Sequence, residues 1–474
     1  MVNLQTTDVD VMIGLECHVQ INKLNTKLFC GCSSDYHDDP PNTHTCPVCL
    51  GLPGALPVIN RRAVECGIKV ALALGCKIQE ETLFYRKNYY YPDLPRGFQI
   101  SQYDFPLATD GIVYLEKDIK RGIRINRVHM EEDPGRLVHK GAIEEAKYTM
   151  VDYNRSGMPL LEIVTEPDLR SPREARQFLN KIRNILEYLD VFDGDLEGSL
   201  RVDANISING GDRTEVKNIS SYKGVEKALL FELNRQKNVL RRGKKVEQET
   251  RHFDETRGIT IPLRTKEAEY DYRYFPEPDL VLMRLGGWID EIKESLPELP
   301  DAKRERFLRE YNISEIHATI LTSDVHLADF FEAVASRIDP GICTSWIADV
   351  LKGELNYRGI KVNRIAKEDF IELMQLLVED KITDHGAIEV IRTLLDHGGD
   401  VKEIVSEKGL LKAEIDETEK AVNEVIKEFP AAVNDYRSGK KEALNYLVGQ
   451  VMRKTRGRAD PEHANRLLLE RIEE

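Results

Sequence analysis

Apolar and polar residues alternate with period two in three stretches of the first half of the chain. Between Ser199 and Ile208, Leu200, Val202, Ala204, Ile206 and Ile208 fall on one side and Arg201, Asp203, Asn205 and Ser207 on the other. That is the pattern of a strand with one buried face. Gly122 to Val128 alternates in the same way over a span too short for a helical stripe. Met12 to Gln20 sets Glu16 and His18 on one face and Cys17 and Val19 on the opposite one, because side chains two apart on a strand share a face. Helical spacing is equally clear elsewhere. Ser171-Pro172-Arg173-Glu174 is a capping box with proline at the first helical position, and Phe178, Leu179, Ile182, Ile185, Leu186 and Leu189 follow at helical intervals. Two more helices are predicted, from near Asn60 to Gly75 and over Gly224 to Leu240.

The strands do not alternate regularly with helices and no Gly-rich turn accompanies them, which predicts an α+β fold built on a mainly antiparallel sheet. Around Ser295-Leu296-Pro297-Glu298-Leu299-Pro300 the strand signals stop. Helical patterns take over, as in Lys303 to Tyr311 and Glu368 to Glu379. At 474 residues the chain exceeds a single core. Three domains are expected: a sheet domain over 1–294 containing a cysteine-rich loop at 30–49, an all-α helical domain over 295–410, and a small α-helical tail over 411–474.

Composition narrows the function. The formal charge of −14 argues against broad, nonspecific nucleic-acid binding. No run approaches the roughly 18 apolar residues of a membrane span. Met1 to Asp10 has acids and no apolar centre, unlike a secretory signal, so a cytoplasmic protein is expected. Four of the eight cysteines, Cys30, Cys32, Cys46 and Cys49, form a Cys-x-Cys-x13-Cys-x2-Cys pattern. Two such knuckles can place four thiolates around one structural Zn²⁺, with Gly31 and Pro47 supplying the tight turns. Cys17, Cys66, Cys76 and Cys343 sit singly among apolar neighbours and read as core residues. The last segment reverses the charge of the whole: Arg437, Lys440, Lys441, Arg453, Lys454, Arg456 and Arg458 stand against Glu442 alone between 437 and 458, beside Tyr436 and Tyr446. A basic patch with aromatics on a small helical module points to a nucleic-acid contact.

The candidate chemistry lies on the strands. Arg127-Val128-His129-Met130-Glu131-Glu132-Asp133 gathers an imidazole and three carboxylates at a strand end. Like charges this close repel unless a cation or basic group neutralises them. Alternation sets Arg127, His129 and Glu131 on one face and Val128, Met130 and Glu132 on the other. Glu16 with His18, Asp203 with Asn205, and Glu215 with Lys217 offer matching groups. Hard oxygen ligands with one or two histidines favour Mg²⁺ or Mn²⁺, and a lysine among them suits a phosphate. A P-loop, a Rossmann fingerprint and a nucleophile elbow are all missing, so the chain is not expected to hydrolyse amides by itself.

Five longer motifs carry a resemblance: Ile13 to Gln20, Arg86 to Asp104, His129 to Asp133, Pro159 to Asp168 and Asp271 to Leu280. Together they resemble the B subunit of the aspartyl/glutamyl-tRNA amidotransferases, and the match spans essentially the whole chain. The E subunit of the same group has a large insertion before its helical region, whereas this chain passes directly from Pro278 to its helices. The resemblance implies a cradle domain with a kinase site, a helical domain and a tail that binds the tRNA elbow. It also implies a complex with an amidase (the A subunit) and with a small C subunit. The reaction implied is ATP-dependent phosphorylation of the side-chain carboxylate of Glu-tRNA(Gln), Asp-tRNA(Asn) or both, then amidation by ammonia from glutamine, an ATP-dependent carbon–nitrogen ligase. Carried over to this chain, Glu16, His18, Glu131, Glu132, Glu215 and Lys217 form the catalytic set. Magnesium falls to His18, Glu131 and Glu215, and ATP contacts to Arg127, Asp203 and Asn205. Lys440, Lys441, Arg453, Lys454 and Arg456 are left to meet tRNA. Which of Glu131, Glu132 and Asp133 ligates metal stays open, and Pro134, where the family has a small residue, bears on that turn. Cys17 replaces a usual valine on the face away from Glu16 and His18. The four cysteines occur in only some members. A rival reading is a zinc-stabilised protein for tRNA binding or assembly, without catalysis of its own.

Overall fold

The computed structural model describes residues 9–115, 122–138, 148–196, 198–263, 269–413 and 415–473. The chain divides into two compact units, Met1–Leu299 and Pro300–Glu474. The first is α+β, and the named elements of the second are all helices among its described residues.

The first unit is organised by nine strands, labelled β1 to β9 in chain order: Val11–Gln20, Lys77–Ile78, Ala108–Val113, Ile123–Glu132, Pro159–Thr165, Leu200–Ile208, Thr214–Ile219, Glu249–Asp254 and Ile259–Pro262. They form one sheet in the order β9-β8-β7-β6-β1-β5-β4-β3-β2. All neighbours are antiparallel except β7 and β8, which run parallel. The alternation read from the sequence becomes two faces. On one, Ile13, Leu15, Cys17 and Val19 of β1, Val202, Ala204 and Ile206 of β6, Ile163 of β5 and Val128 of β4 are almost fully buried. They share a single core with three helices: α1 (Arg61–Ala73), α2 (Pro172–Tyr188) and α3 (Tyr222–Arg241). The hydrophobic effect thus fixes the other face as the one that carries polar side chains.

Helix starts follow the local chemistry. Ser171 caps α2 by accepting from the Glu174 amide, with Pro172 in the first turn, and Glu174 returns a carboxylate to the Arg170 amide. Asn60 caps α1 through the Ala63 amide. Strand β4 is longer than the alternation between Gly122 and Val128 indicates, since it runs on through Glu132. It also carries an irregularity: Ile125 pairs with Thr165 and Arg127 with Val164, leaving Asn126 as the extra residue of a bulge.

In the second unit the described tail residues have a core of their own, from Ala421 and Val422 through Leu447 and Val451 to Leu468 and Ile472. The same unit joins that tail to preceding helices: Thr383 donates its hydroxyl to the Gly457 carbonyl at 2.9 Å, and Lys412 bonds Asp380 at 2.7 Å. Among the described residues no helix is long and apolar enough to cross a membrane.

Candidate phosphoryl-transfer site

The polar face of the sheet brings together residues that are up to two hundred positions apart. Antiparallel register places Arg201, His18, Glu162 and His129 in one row across β6, β1, β5 and β4. A second row sets Asp203 opposite Glu16, and Asn205 stands opposite Glu215. Two trios of candidate metal ligands result, each with donor atoms within 4.8 Å of one another: His18, Glu131 and Glu162, and Glu16, Asp203 and Glu215.

In the first trio, His18 Nε2 lies 3.5 Å from Glu162 Oε2 and 3.9 Å from Glu131 Oε1. His129 Nε2 lies 3.0 Å from the same Glu162 oxygen. Ser101 donates its hydroxyl to Glu131 Oε2 at 3.3 Å. Burial works against a charged His18, but the Glu162 carboxylate, its hydrogen bond and Glu131 prevail and lift the imidazole to about 9. Burial likewise disfavours ionised Glu162, yet His129 and His18 hold it well below the usual carboxylate range. In the second trio, Glu16 is pushed up by burial and by the nearby charges of Glu162, Asp203 and Glu215. Lys217 Nζ answers part of that charge, 3.0 Å from Asp203 and 3.4 Å from Glu215. Asn205 donates its amide to Glu16 Oε1 at 3.1 Å. The site is therefore rich in carboxylate and holds Lys217, a pattern that a divalent cation and a phosphate would complete.

The remaining sequence candidates stand elsewhere. Glu132, one residue beyond Glu131, is buried against a different partner, the Arg96 guanidinium, and also accepts from the Ile100 amide at 2.9 Å. It belongs to neither trio. Asp133 is buried too, bonded to Gln20 and Arg201 at 2.6 Å each. Arg127 is exposed, two residues before His129 on the same strand. Glu162 has no assignment from the sequence pattern, which places His129 on one face with Arg127 and Glu131 but gives it no role. A lone carboxylate inside the apolar run Pro159–Thr165 is the signal that could have found Glu162. Lys87 was missed as well. Its ammonium lies 5.1 Å from the Tyr272 ring and 5.8 Å from that of Tyr89, and the neighbouring Glu131 raises its pKa although burial opposes this.

Cys30, Cys32, Cys46 and Cys49 converge in a group whose sulfurs all lie within 4.8 Å of one another, and none is in a disulfide. Cys46 and Cys49 are 3.8 Å apart, Cys32 and Cys49 4.0 Å. Sulfurs about 2.3 Å from a tetrahedral zinc stand roughly 3.8 Å apart, so the spacing fits that ion. The Cys30 thiol and Lys27 pull the Cys49 thiol down against its burial. The loop is tied to the 151–157 turn: Asn42 bonds the Val151 carbonyl, the His44 amide donates to Asn154, and Ser156 donates to the Cys49 carbonyl. Gly157, at φ +85°, passes 3.5 Å from Cys49 Cβ at the position a methyl would occupy, and its amide donates to the Asp133 carbonyl. The cysteine loop thus braces the end of β4.

In the tail, Lys440, Lys441, Arg453, Lys454 and Arg456 are all exposed. Two are already paired: Lys454 with Glu424 and Glu428 at 2.9 and 2.8 Å, and Lys440 with Asp435 at 2.9 Å. A cavity of about 800 Å³ opens beside Phe429, Tyr446, Lys440 and Lys441.

Residues 11–289 match the GatB/GatE catalytic domain family and residues 329–472 the GatB domain family. A protein of Methanococcoides burtonii, named as the B subunit of aspartyl/glutamyl-tRNA(Asn/Gln) amidotransferase, is 62% identical over 460 residues, covering 97% of both chains. The chain belongs to the GatB/GatE family. Family members of the same name in Methanosarcina barkeri and Haloquadratum walsbyi are 58% and 52% identical, covering 98% and 99% of each chain. The GatB/GatE catalytic-domain match encloses the sheet and both carboxylate trios.

Proposed function

We propose that this chain is the component of a tRNA-dependent amidotransferase that activates the side-chain carboxylate of Glu-tRNA(Gln), Asp-tRNA(Asn) or both. A carboxylate is an anion with no leaving group and a poor electrophile. Transfer of the γ-phosphoryl group of ATP to one carboxylate oxygen gives an acyl phosphate and ADP. Ammonia then attacks the carbonyl carbon, phosphate departs with that oxygen, and the amide forms with loss of a proton. The ammonia comes from glutamine hydrolysed by a partner amidase, the A subunit, while a small C subunit would complete the assembly, in the cytoplasm.

The observation that carries this reading is the juxtaposition of the two trios on one sheet face. Their donors are oxygens with a single imidazole, which suits Mg²⁺ or Mn²⁺ better than zinc. The buried Asn205 Oδ1 and His129 Nδ1 have no hydrogen-bond partner among the described groups, as expected of a site that receives a polar ligand. Glu16, His18, Glu131, Glu162, Asp203 and Glu215 would hold the cation, and Lys217 and Arg127 would face phosphate oxygens. When bound, the cation neutralises phosphate charge and fixes the line of transfer. Glu132, outside both trios, would hold Arg96 and the 96–100 segment in place. The four cysteines would hold a structural zinc, and the tail would contact tRNA.

The test is phosphorylation of Glu-tRNA(Gln) and Asp-tRNA(Asn) by the assembled enzyme with labelled ATP and no ammonia donor. His18→Ala and Glu131→Gln should each lower the rate about 100-fold or more. Undiminished phosphorylation in both variants would instead make the chain a protein of tRNA binding or assembly.

A further inference from the structure

His129 is buried, with 5% of its surface exposed, and belongs to neither trio. The register of β4, β5 and β1 sets it directly opposite Glu162, which is itself directly opposite His18. One oxygen, Glu162 Oε2, therefore lies between two imidazoles, 3.0 Å from His129 Nε2 and 3.5 Å from His18 Nε2. A nitrogen that gives its proton to a carboxylate has no lone pair left for a metal, so His18 ligates only as the neutral imidazole, with a cation in place of the proton it shares with Glu162. His129 Nε2 is committed to Glu162 by its proton and is further, 3.9 Å, from Glu131 Oε2. Ligating carboxylates need such a donor, because a free carboxylate rotates and divides its lone pairs among several arrangements.

We propose that His129 is a positioning residue of the phosphoryl-transfer site: its Nε2–H fixes the Glu162 carboxylate so that Glu162, His18 and Glu131 present one ligand set to a divalent cation. This rests on the reading of that trio as a cation site. It assigns His129 no proton transfer and no contact with the reacting atoms. It also predicts which nitrogen matters. A glutamine places an amide N–H near the position of Nε2, whereas an asparagine places its amide near Nδ1.

The test is titration of the assembled enzyme with Mn²⁺ alone, followed by electron paramagnetic resonance of the free ion, for wild type, His129→Ala, His129→Gln and His129→Asn. Removing a hydrogen-bonding partner of a metal ligand weakens metal binding about 10- to 100-fold. His129→Ala and His129→Asn should show that loss, and His129→Gln should recover most of the wild-type affinity. Melting curves identify any variant that fails to fold; if His129→Ala does, the Gln and Asn pair decides. The proposal is overturned if His129→Ala binds Mn²⁺ as tightly as wild type, or if Gln and Asn have equal effects. Failure of wild type to bind Mn²⁺, or undiminished binding by His18→Ala, would overturn the cation site itself and the proposal with it.

Discussion

Glu131 and Glu132 are adjacent, both carboxylates and both buried, yet a strand sends them to opposite sides and so to different chemistry. Glu131 meets His18 and Ser101, whereas Glu132 meets Arg96 and the Ile100 amide. Alternation along Arg127 to Asp133 already separates the two, and the resemblance alone joins them in one set. Desolvation pushes the Glu132 pKa up and Arg96 pulls it back, the balance of a buried ion pair whose members depend on each other. Glu132→Gln would leave Arg96 buried beside a neutral amide, which costs about 3 to 5 kcal/mol in comparable cases. The expected outcome is a fall in melting temperature with phosphorylation retained in the folded fraction. Loss of phosphorylation at unchanged melting temperature would return Glu132 to the reacting centre.

At the scale of elements, the register does most of the arranging. Period-two patterns are enough to put Glu16 with His18 and Asp203 with Asn205, because the apolar sides of β1 and β6 must face α1 to α3. Those patterns cannot say which strands are neighbours. Glu162 lies on β5, a run apolar on both sides of it, and only the pairing of β5 between β1 and β4 sets it beside two histidines. The bulge at Asn126 is similarly hidden, since an inserted residue changes pairing without changing composition. Helix starts are more legible, because Ser171, Pro172 and Glu174 act within one turn. The cysteine loop is an element tied toward the site by hydrogen bonds: the Ser156 hydroxyl donates to the Cys49 carbonyl, and the Gly157 amide to the Asp133 carbonyl. Zinc removal by a chelator, or Cys46→Ser, should therefore loosen residues 30–49 and 151–158 together. Amide hydrogen exchange measures this, with faster exchange expected in both segments. Faster exchange confined to 30–49 would show that the loop is not a brace for β4.

For the whole molecule, the break after Leu299 separates a unit that carries the carboxylates from one that carries the basic tail. Strand periodicity in the sequence ends near Ser295. The tail's charge is legible in the sequence, but its internal pairing is only partly so: Lys440 meets Asp435 five residues earlier, whereas Lys454 is tied to Glu424 and Glu428, which approach only once the helices pack. Lys440→Ala combined with Arg453→Ala should weaken tRNA binding and make its dependence on salt shallower, by about one unit of log–log slope for each phosphate no longer neutralised. Equal affinity and equal slope in filter binding at low and high salt would remove the tail from the tRNA interface.

In the proposed reaction a carboxylate oxygen leaves as part of phosphate. Misacylated tRNA whose glutamyl or aspartyl side-chain carboxylate is labelled with ¹⁸O, turned over by the assembled enzyme with ATP and glutamine, tests this directly by mass spectrometry of the inorganic phosphate released. Acyl-phosphate activation predicts one ¹⁸O in each phosphate formed with an amide. Phosphate free of ¹⁸O, with the amide still produced, would exclude an acyl-phosphate intermediate.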